Sequence, residues 1–154
     1  MKKELLIKNL FIKERKSLSI AESCTGGLVS HSLTNIPGAA GYFKLGIVAY
    51  SNQAKISILK IPPQIIQKYG VISKETVSFM AKNIRKIGFS DIGLGITGIA
   101  GPSGGTKEKP VGTVFIAYSD RKKIVVKKFI FKGNRISIKK QSLNKALEIL
   151  QMLI

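Results

Sequence analysis

Segments typical of β-strands are interspersed with segments typical of α-helices along the whole chain, in the predicted order α-β-α-β-α-α-α-β-β-β-α. Helical spacing of apolar residues predicts an opening helix over residues 3–15 and, most clearly, an amphipathic helix over residues 74–87, with Ser73 as its N-cap. Strands are predicted at residues 18–21, 42–50 and 91–97, with the hairpin formed by residues 111–118 and 123–131. This order favours the α/β class, as a three-layer α/β/α sandwich built on a mixed β-sheet.

The length and hydrophobicity of the chain are those of one folded domain. Its 154 residues fall within the ~100–200 residues usual for a single domain, and 44% of them are hydrophobic, too many for an intrinsically disordered chain. We therefore predict a single domain over residues 1–154. No apolar run approaches the ~18 residues of a membrane span, and charges interrupt the N-terminal apolar residues, so neither a membrane segment nor a secretory signal is expected.

The chain has one cysteine, Cys24, and one histidine, His31. This rules out a disulfide within the chain and a zinc site made of several thiolates. Histidine-based metal sites are also not expected. We predict no metal and no cofactor, and a reducing cytoplasmic location.

A formal net charge of +18 suggests binding to a polyanion, because clustered cations bind phosphates by releasing counterions. However, 22 of the 26 basic residues are lysines, and they are scattered. None lies in a pattern of interleaved aromatic residues typical of RNA recognition. The preferred interpretation is a solvated cationic surface. Nucleic-acid binding is the less favoured alternative.

Two glycine-rich segments directly follow predicted strands: residues 23–27 and residues 98–106. In open α/β sheets, ligands bind beyond the carboxyl ends of the strands. Glycines there let backbone N–H groups approach a ligand closely, as an oxyanion hole or a phosphate cradle. Neither segment is a standard nucleotide-binding fingerprint, but together they predict one shared site.

Ser23 is a candidate nucleophile, and a serine hydroxyl needs a neighbouring base. His31 is a poor candidate for the base because it lies on the following predicted helix. A lysine is the alternative, and Lys55 is distinctive because it follows a strand closely, although chemistry alone does not choose among the lysines. Cys24 is the rival nucleophile, or else a small buried apolar residue.

Five segments in this order resemble the CinA C-terminal family, the nicotinamide-nucleotide amidases. They are residues 21–27 (AESCTGG), 50–55 (YSNQAK), 70–73 (GVIS), 97–105 (TGIAGPSGG) and 108–114 (EKPVGTV). The resemblance spans nearly the whole chain, and it is closest to the form that stands alone without an N-terminal molybdopterin-binding-like domain.

The resemblance implies hydrolysis of the carboxamide of nicotinamide mononucleotide, a small-molecule nucleotide, to nicotinic acid mononucleotide and ammonia, in pyridine-nucleotide salvage. Carried over by motif, Ser23 is the nucleophile and Lys55 is its general base, with no metal. A homodimer is the expected assembly. The remaining expected substrate contacts are the N–H groups of Thr25, Gly26 or Gly27 for the oxyanion, the loop residues Gly98, Ile99, Ala100, Gly101 and Thr106 for the ribose phosphate, Tyr50 stacked on the pyridinium, and Arg135 as a phosphate or interface contact.

The chain departs from the family pattern at several positions. Ala39 and Ala40 replace a common serine pair, and Leu45 stands where glycine is frequent. The usual Gly-Asp-Arg-acid run reads Gly-Asn-Arg-Ile at residues 133–136, and Lys139 replaces the arginine that usually follows. A Lys in place of an Arg loses bidentate contacts. Two alternatives therefore accompany the amidase prediction: a degenerate, non-catalytic paralogue, and a basic binding module for nucleic acid or another anionic partner.

Overall fold

The computed structural model describes residues 2–154. The described elements, in chain order, are α1 (Lys2–Lys13), β1 (Leu18–Glu22), α2 (Leu28–Thr34), a 3₁₀ turn (Ala39–Gly41), β2 (Phe43–Val48), α3 (Asn52–Ser57), α4 (Pro63–Tyr69), α5 (Lys74–Ile87), β3 (Ile92–Gly98), β4 (Thr113–Ser119), β5 (Ile124–Ile130) and α6 (Arg135–Leu153). The predicted order of helices and strands is confirmed. None of the described helices is both long and apolar enough to cross a membrane.

The five strands form one mixed sheet in the order β2-β1-β3-β4-β5. β1 pairs in parallel with both β2 and β3, whereas β3, β4 and β5 pair antiparallel. After β1, the chain forms β2 on one side of β1 and later returns to form β3 on the other side. Such a switch point opens a crevice beyond the carboxyl ends of the two strands.

Helices cover both faces of the sheet, which confirms the predicted three-layer sandwich. On one face, the largest apolar cluster joins β1, β3 and β4 to α1, α2 and α6, through residues such as Phe11, Leu33 and Leu147. On the other face, Met80 and Ile84 of α5 pack with residues of α3, α4 and β2. The three central strands, β1, β3 and β4, are therefore buried on both sides, and the edges of the sheet and the strand ends are the places left for a ligand.

Side-chain caps fix where three helices begin. Ser51, Ser73 and Asn134 accept hydrogen bonds from the backbone N–H groups of Ala54, Thr76 and Ser137, respectively, which satisfies N–H groups that have no partner within the helix. The first strand of the hairpin begins two residues later than predicted, because Gly112 has a φ of +96° and its N–H bonds to the Ile99 carbonyl. The 3₁₀ turn before β2 was not predicted.

Candidate active site

A cavity of about 310 Å³ lies beyond the carboxyl ends of β1 and β3. Its walls come from four parts of the chain: the turn after β1, the start of α3, the loop before α5, and the loop after β3 together with the first residue of α6. The lining residues are Ser23, Cys24, Tyr50, Asn52, Lys55, Val71, Ile72, Gly98, Ile99, Ala100, Gly101, Ser103, Gly104 and Arg135.

Ser23 and Lys55 meet in the wall of this cavity. The Lys55 ammonium nitrogen lies 3.0 Å from the Ser23 hydroxyl oxygen, although the two residues are 32 positions apart. Both are buried, with 7% of Ser23 and 2% of Lys55 exposed. The arrangement places a hydroxyl and an amine within proton-transfer distance inside a cavity.

Burial changes the chemistry of the Lys55 amine. Desolvation lowers the pKa of Lys55 below its ordinary value of 10.5, because burial disfavours the charged form of an amine. Its second hydrogen bond goes to the backbone carbonyl of Tyr50, at 3.1 Å. A lysine held between a hydroxyl and a carbonyl, with a lowered pKa, is suited to accept a proton.

Cys24, the rival nucleophile, lies next to Ser23 but is less suited to the role. Burial raises the pKa of the Cys24 thiol to about 12, and the nearby Glu22 carboxylate acts in the same direction. Because the thiolate is the nucleophilic form of cysteine, this side chain stays protonated near neutral pH.

The carboxylate of Glu22 lies at the N-terminal end of α2. The sequence predicts a site for a bound anion at this place. The N–H of Gly27 already donates to the Glu22 carboxylate, and the N–H of Gly26 donates to the Ser23 carbonyl. Both N–H groups thus have partners within this segment, and the contact of either glycine with an oxyanion stays a prediction. Among the described contacts the N–H of Thr25 has no such partner.

Arg135 and Tyr50 meet at the mouth of the cavity. Two guanidinium nitrogens of Arg135 donate 2.7 Å hydrogen bonds, one to the Gly101 carbonyl and the other to the Tyr50 hydroxyl. Arg135 thus connects the loop after β3 with the segment after β2. Its partners are neutral oxygens, so its positive charge remains available to an anionic group of a ligand.

The loop after β3 is tied to the opposite wall by Lys109. The Lys109 amine donates to the carbonyl of Ile72 and, at 3.4 Å, to that of Tyr69. Thr106 belongs to a turn in this loop, where its hydroxyl accepts from the N–H of Lys109. Thr106 does not line the cavity.

A second cavity, of about 440 Å³, lies at the opposite edge of the sheet, near the start of β3 and the β4–β5 turn. Its charged lining residues are Lys16, Asp91, Asp120, Arg121, Lys122 and Lys123. It contains no serine, threonine, cysteine or histidine. A nucleophile paired with a base is therefore found at the first cavity and not at this one.

Comparisons with known proteins identify the family of this chain. The family model described as the CinA C-terminal domain matches residues 2–154. The chain belongs to the CinA C-terminal domain family. A CinA-like protein of Endomicrobium trichonymphae is 45% identical over 142 residues, which are 92% of this chain and 33% of that protein. A CinA-like protein of Thermosipho melanesiensis is 46% identical over 98% of this chain and 37% of its own length.

This CinA domain therefore spans about a third of the length of the curated relatives it matches. Among solved structures, the competence/damage inducible protein CihA from Agrobacterium tumefaciens is 32% identical, with a TM-score of 0.96 over 99% of this chain and 93% of that one. The likeness covers the whole sandwich, including the strand ends that carry the cavity.

The CinA domain brings most of the predicted site residues together. The members that line the cavity are Ser23, Lys55, Tyr50, Gly98, Ile99, Ala100, Gly101 and Arg135. Thr25, Gly26, Gly27 and Thr106 lie outside its lining. His31 is exposed on α2 and hydrogen-bonds Asn35. The roles of these residues toward a substrate stay predictions.

Sequence reasoning did not name several contributors to the site, among them Asn52, Val71, Ile72 and Glu22. Val71 and Ile72 form an apolar wall of the cavity, and only their place in the family-like segment 70–73 marked them. Glu22 does not line the cavity, but it organises the turn that carries Ser23. Its signal was its position next to the candidate nucleophile, in a segment of the sequence that otherwise reads as a buried strand.

Proposed function

We propose that this chain is an amidase that hydrolyses the carboxamide of nicotinamide mononucleotide to nicotinic acid mononucleotide and ammonia. The observation that carries the proposal is the contact between the Ser23 hydroxyl and the buried Lys55 amine. A serine with a lysine base is an established arrangement for acyl transfer, and the family-like sequence segments direct it to this substrate.

In the first stage, the Ser23 hydroxyl oxygen attacks the carbonyl carbon of the carboxamide while the neutral Lys55 amine takes the hydroxyl proton. The carbonyl oxygen becomes an oxyanion. The resulting Lys55 ammonium gives its proton to the amide nitrogen, the C–N bond breaks, and ammonia leaves. Ser23 is then the ester of the pyridine carboxylic acid.

In the second stage, water takes the place of ammonia. Lys55, again neutral, accepts a proton from water as the water oxygen attacks the ester carbon. The new intermediate collapses, the Ser23 oxygen recovers the proton from Lys55, and the pyridine carboxylic acid leaves and gives its remaining proton to solvent. The reaction consumes one water and needs no other reactant.

Recognition of the rest of the substrate is assigned to the mouth of the cavity. The unpaired charge of Arg135 suits a phosphate monoester. The ring of Tyr50, which is 56% exposed at the mouth, suits the positively charged pyridinium, because a cation is attracted to an aromatic face. We assign the contact with the ribose to Ile99 and Ala100, which line the cavity.

The test is release of ammonia from nicotinamide mononucleotide, nicotinamide riboside and free nicotinamide by the purified protein. We expect the mononucleotide to be preferred, because only it carries a group for Arg135. Ser23→Ala and Lys55→Met should each abolish release, whereas Cys24→Ala, a matched change at the adjacent residue, should retain it.

Ammonia release from none of the three compounds would overturn the proposed function. Full turnover in Ser23→Ala, or its loss in Cys24→Ala with the fold intact, would overturn the assignment of the nucleophile.

A further inference from the structure

Glu22, the last residue of β1, is a buried carboxylate whose described partners are all neutral N–H and O–H groups. None of its surface is exposed. Its carboxylate accepts five hydrogen bonds from the segment that follows it: the Thr25 hydroxyl at 2.6 Å, the N–H groups of Gly27 at 3.0 Å and Val29 at 3.2 Å, and the N–H and hydroxyl of Ser30 at 2.8 and 2.7 Å.

The chemistry of this position calls for a carboxylate. All five partners are donors, and an ionised carboxylate only accepts, with about four lone-pair sites on its two oxygens. A glutamine would replace one carboxylate oxygen by an amide NH₂, which is itself a donor and would face two or three of those donors. The charge also sits at the N-terminal end of α2, where an anion is favoured, and this offsets part of the cost of burying it.

The hydrogen bonds of Glu22 shape the turn that carries Ser23. This turn reverses direction through Gly26 and Gly27, whose φ angles are +61° and +96°. Glu22 fixes the far side of the turn through Thr25 and Gly27, while the Ser23 N–H is fixed to β3 by the Ile96 carbonyl. Ser23 is thus held from both sides, with little freedom to move away from Lys55.

The backbone of Glu22 also supports the partner of Ser23. The Glu22 carbonyl accepts the N–H of Ala49, the residue before Tyr50. The Tyr50 carbonyl in turn accepts the second hydrogen bond of the Lys55 amine. One residue therefore connects the turn of the nucleophile with the segment that anchors the base.

We propose that Glu22 is a positioning residue that holds the Ser23 hydroxyl within reach of the Lys55 amine. Glu22 acts through the turn of residues 23–27 and does not touch the substrate, since it lies outside the cavity lining. The effect of Glu22 on turnover rests on the proposed amidase function. Its effect on the distance between Ser23 and Lys55 is independent of that function.

The experiment compares Glu22→Gln with Thr25→Val, which removes one donor to the carboxylate, and with the double variant. Glu4→Gln is the matched control: Glu4 is a second buried carboxylate, and it accepts from Ser32 on the far side of α2. Three quantities are measured: kcat and KM for ammonia release, the rate at which a fluorophosphonate probe labels Ser23, and the Ser23–Lys55 distance in crystals of each variant.

We expect Glu22→Gln to lower kcat and the labelling rate by about 10²-fold, the cost of a misplacement near 1 Å, with KM unchanged. Thr25→Val should lower kcat and the labelling rate by smaller factors. In the double variant, the fall in each quantity should be smaller than the product of the two single-variant factors, because the two side chains act as one unit. Glu4→Gln should lower the unfolding temperature and leave labelling unchanged.

Wild-type labelling and an unchanged Ser23–Lys55 distance in folded Glu22→Gln would overturn the proposal. If Glu22→Gln does not fold, the same result in Thr25→Val overturns it. If the wild type releases no ammonia from any pyridine compound, the proposed function fails, and labelling and distance still decide whether Glu22 positions Ser23.

Discussion

At the scale of the residue, Lys55 combines two properties that oppose each other. Its amine is buried, which lowers its pKa and makes it a base at lower pH. Burying an amine that must otherwise carry a charge also costs folding free energy. The residue best placed for chemistry is therefore one that weakens the fold.

The prediction at this scale concerns Lys55→Met. We expect this variant to be inactive yet more stable than the wild type, by about 0.5–2 kcal/mol, a usual gain when a functional residue is replaced by one suited to its surroundings. Thermal unfolding measures the gain. Lys82→Met, at an exposed position of α5, is the control and should leave stability nearly unchanged.

The pH dependence has a definite sign. The pKa of Lys55 in the folded protein lies below its ordinary value of 10.5. Between the folded pKa and 10.5, the unfolded chain therefore binds more protons than the folded chain, and wild-type stability rises with pH over this range. Lys55→Met should lack that rise.

For the wild type, kcat/KM should increase as pH rises through the folded pKa of Lys55 and then level off. A profile that falls over that range would contradict the role of Lys55 as the base.

At the scale of the element, the packing of α5 on β3 sets where the cavity lies. β3 carries Gly93 and Gly95 on the side that α5 covers. A Cβ at Gly93 would collide with the Ala81 carbonyl oxygen, and one at Gly95 would lie 2.8 Å from the backbone of Val77 and Ala81. The helix therefore rests directly on the strand, and β3 delivers its glycine-rich loop to the end of β1.

We predict that Gly93→Ala destabilises the protein by about 1–3 kcal/mol, the usual cost of overpacking a core. Denaturant unfolding measures the loss. Gly41→Ala is the matched control, because there a Cβ would meet only the end of the flexible Ile12 side chain, at 3.0 Å. Equal stability of the two variants would show that α5 can move away from β3 at little cost.

At the scale of the whole molecule, charge is the dominant feature. With 26 basic and 8 acidic residues, most cations have no acid to pair with. Among the described residues, Glu148 forms ion pairs with both Lys3 and Lys145. The remaining lysines repel one another across the surface, which opposes the compact state.

We predict that added sodium chloride stabilises the fold. Raising ionic strength from about 0.01 M to 0.15 M shortens the screening length from about 30 Å to about 8 Å, which weakens this repulsion. The unfolding temperature should rise by a few degrees, since 1 kcal/mol corresponds to about 2–4 °C in a domain of this size. A variant with Lys122→Gln and Lys127→Gln should show a smaller rise, and a fall in unfolding temperature with salt would contradict the prediction.

The sequence by itself determined the elements of this protein. The amphipathic pattern predicted α5 at residues 74–87, which are its observed bounds, and Ser73 was predicted as its cap. These signals are local, because a helix face, a cap and a glycine turn each depend on residues a few positions apart. The residues alone made Ser23 a candidate nucleophile and Lys55 a distinctive lysine, and resemblance to a family assigned them the roles of nucleophile and general base.

Only the tertiary structure decided which groups meet and which are already occupied. It brought the Lys55 amine to the Ser23 hydroxyl and linked Arg135 to Tyr50, 85 positions away. It also gave the N–H of Gly27 to Glu22, where the sequence had offered it to a substrate. Burial, which lowers the pKa of Lys55, and the choice between an internal and an external hydrogen-bond partner both depend on packing between distant segments, and no local pattern in the chain encodes them.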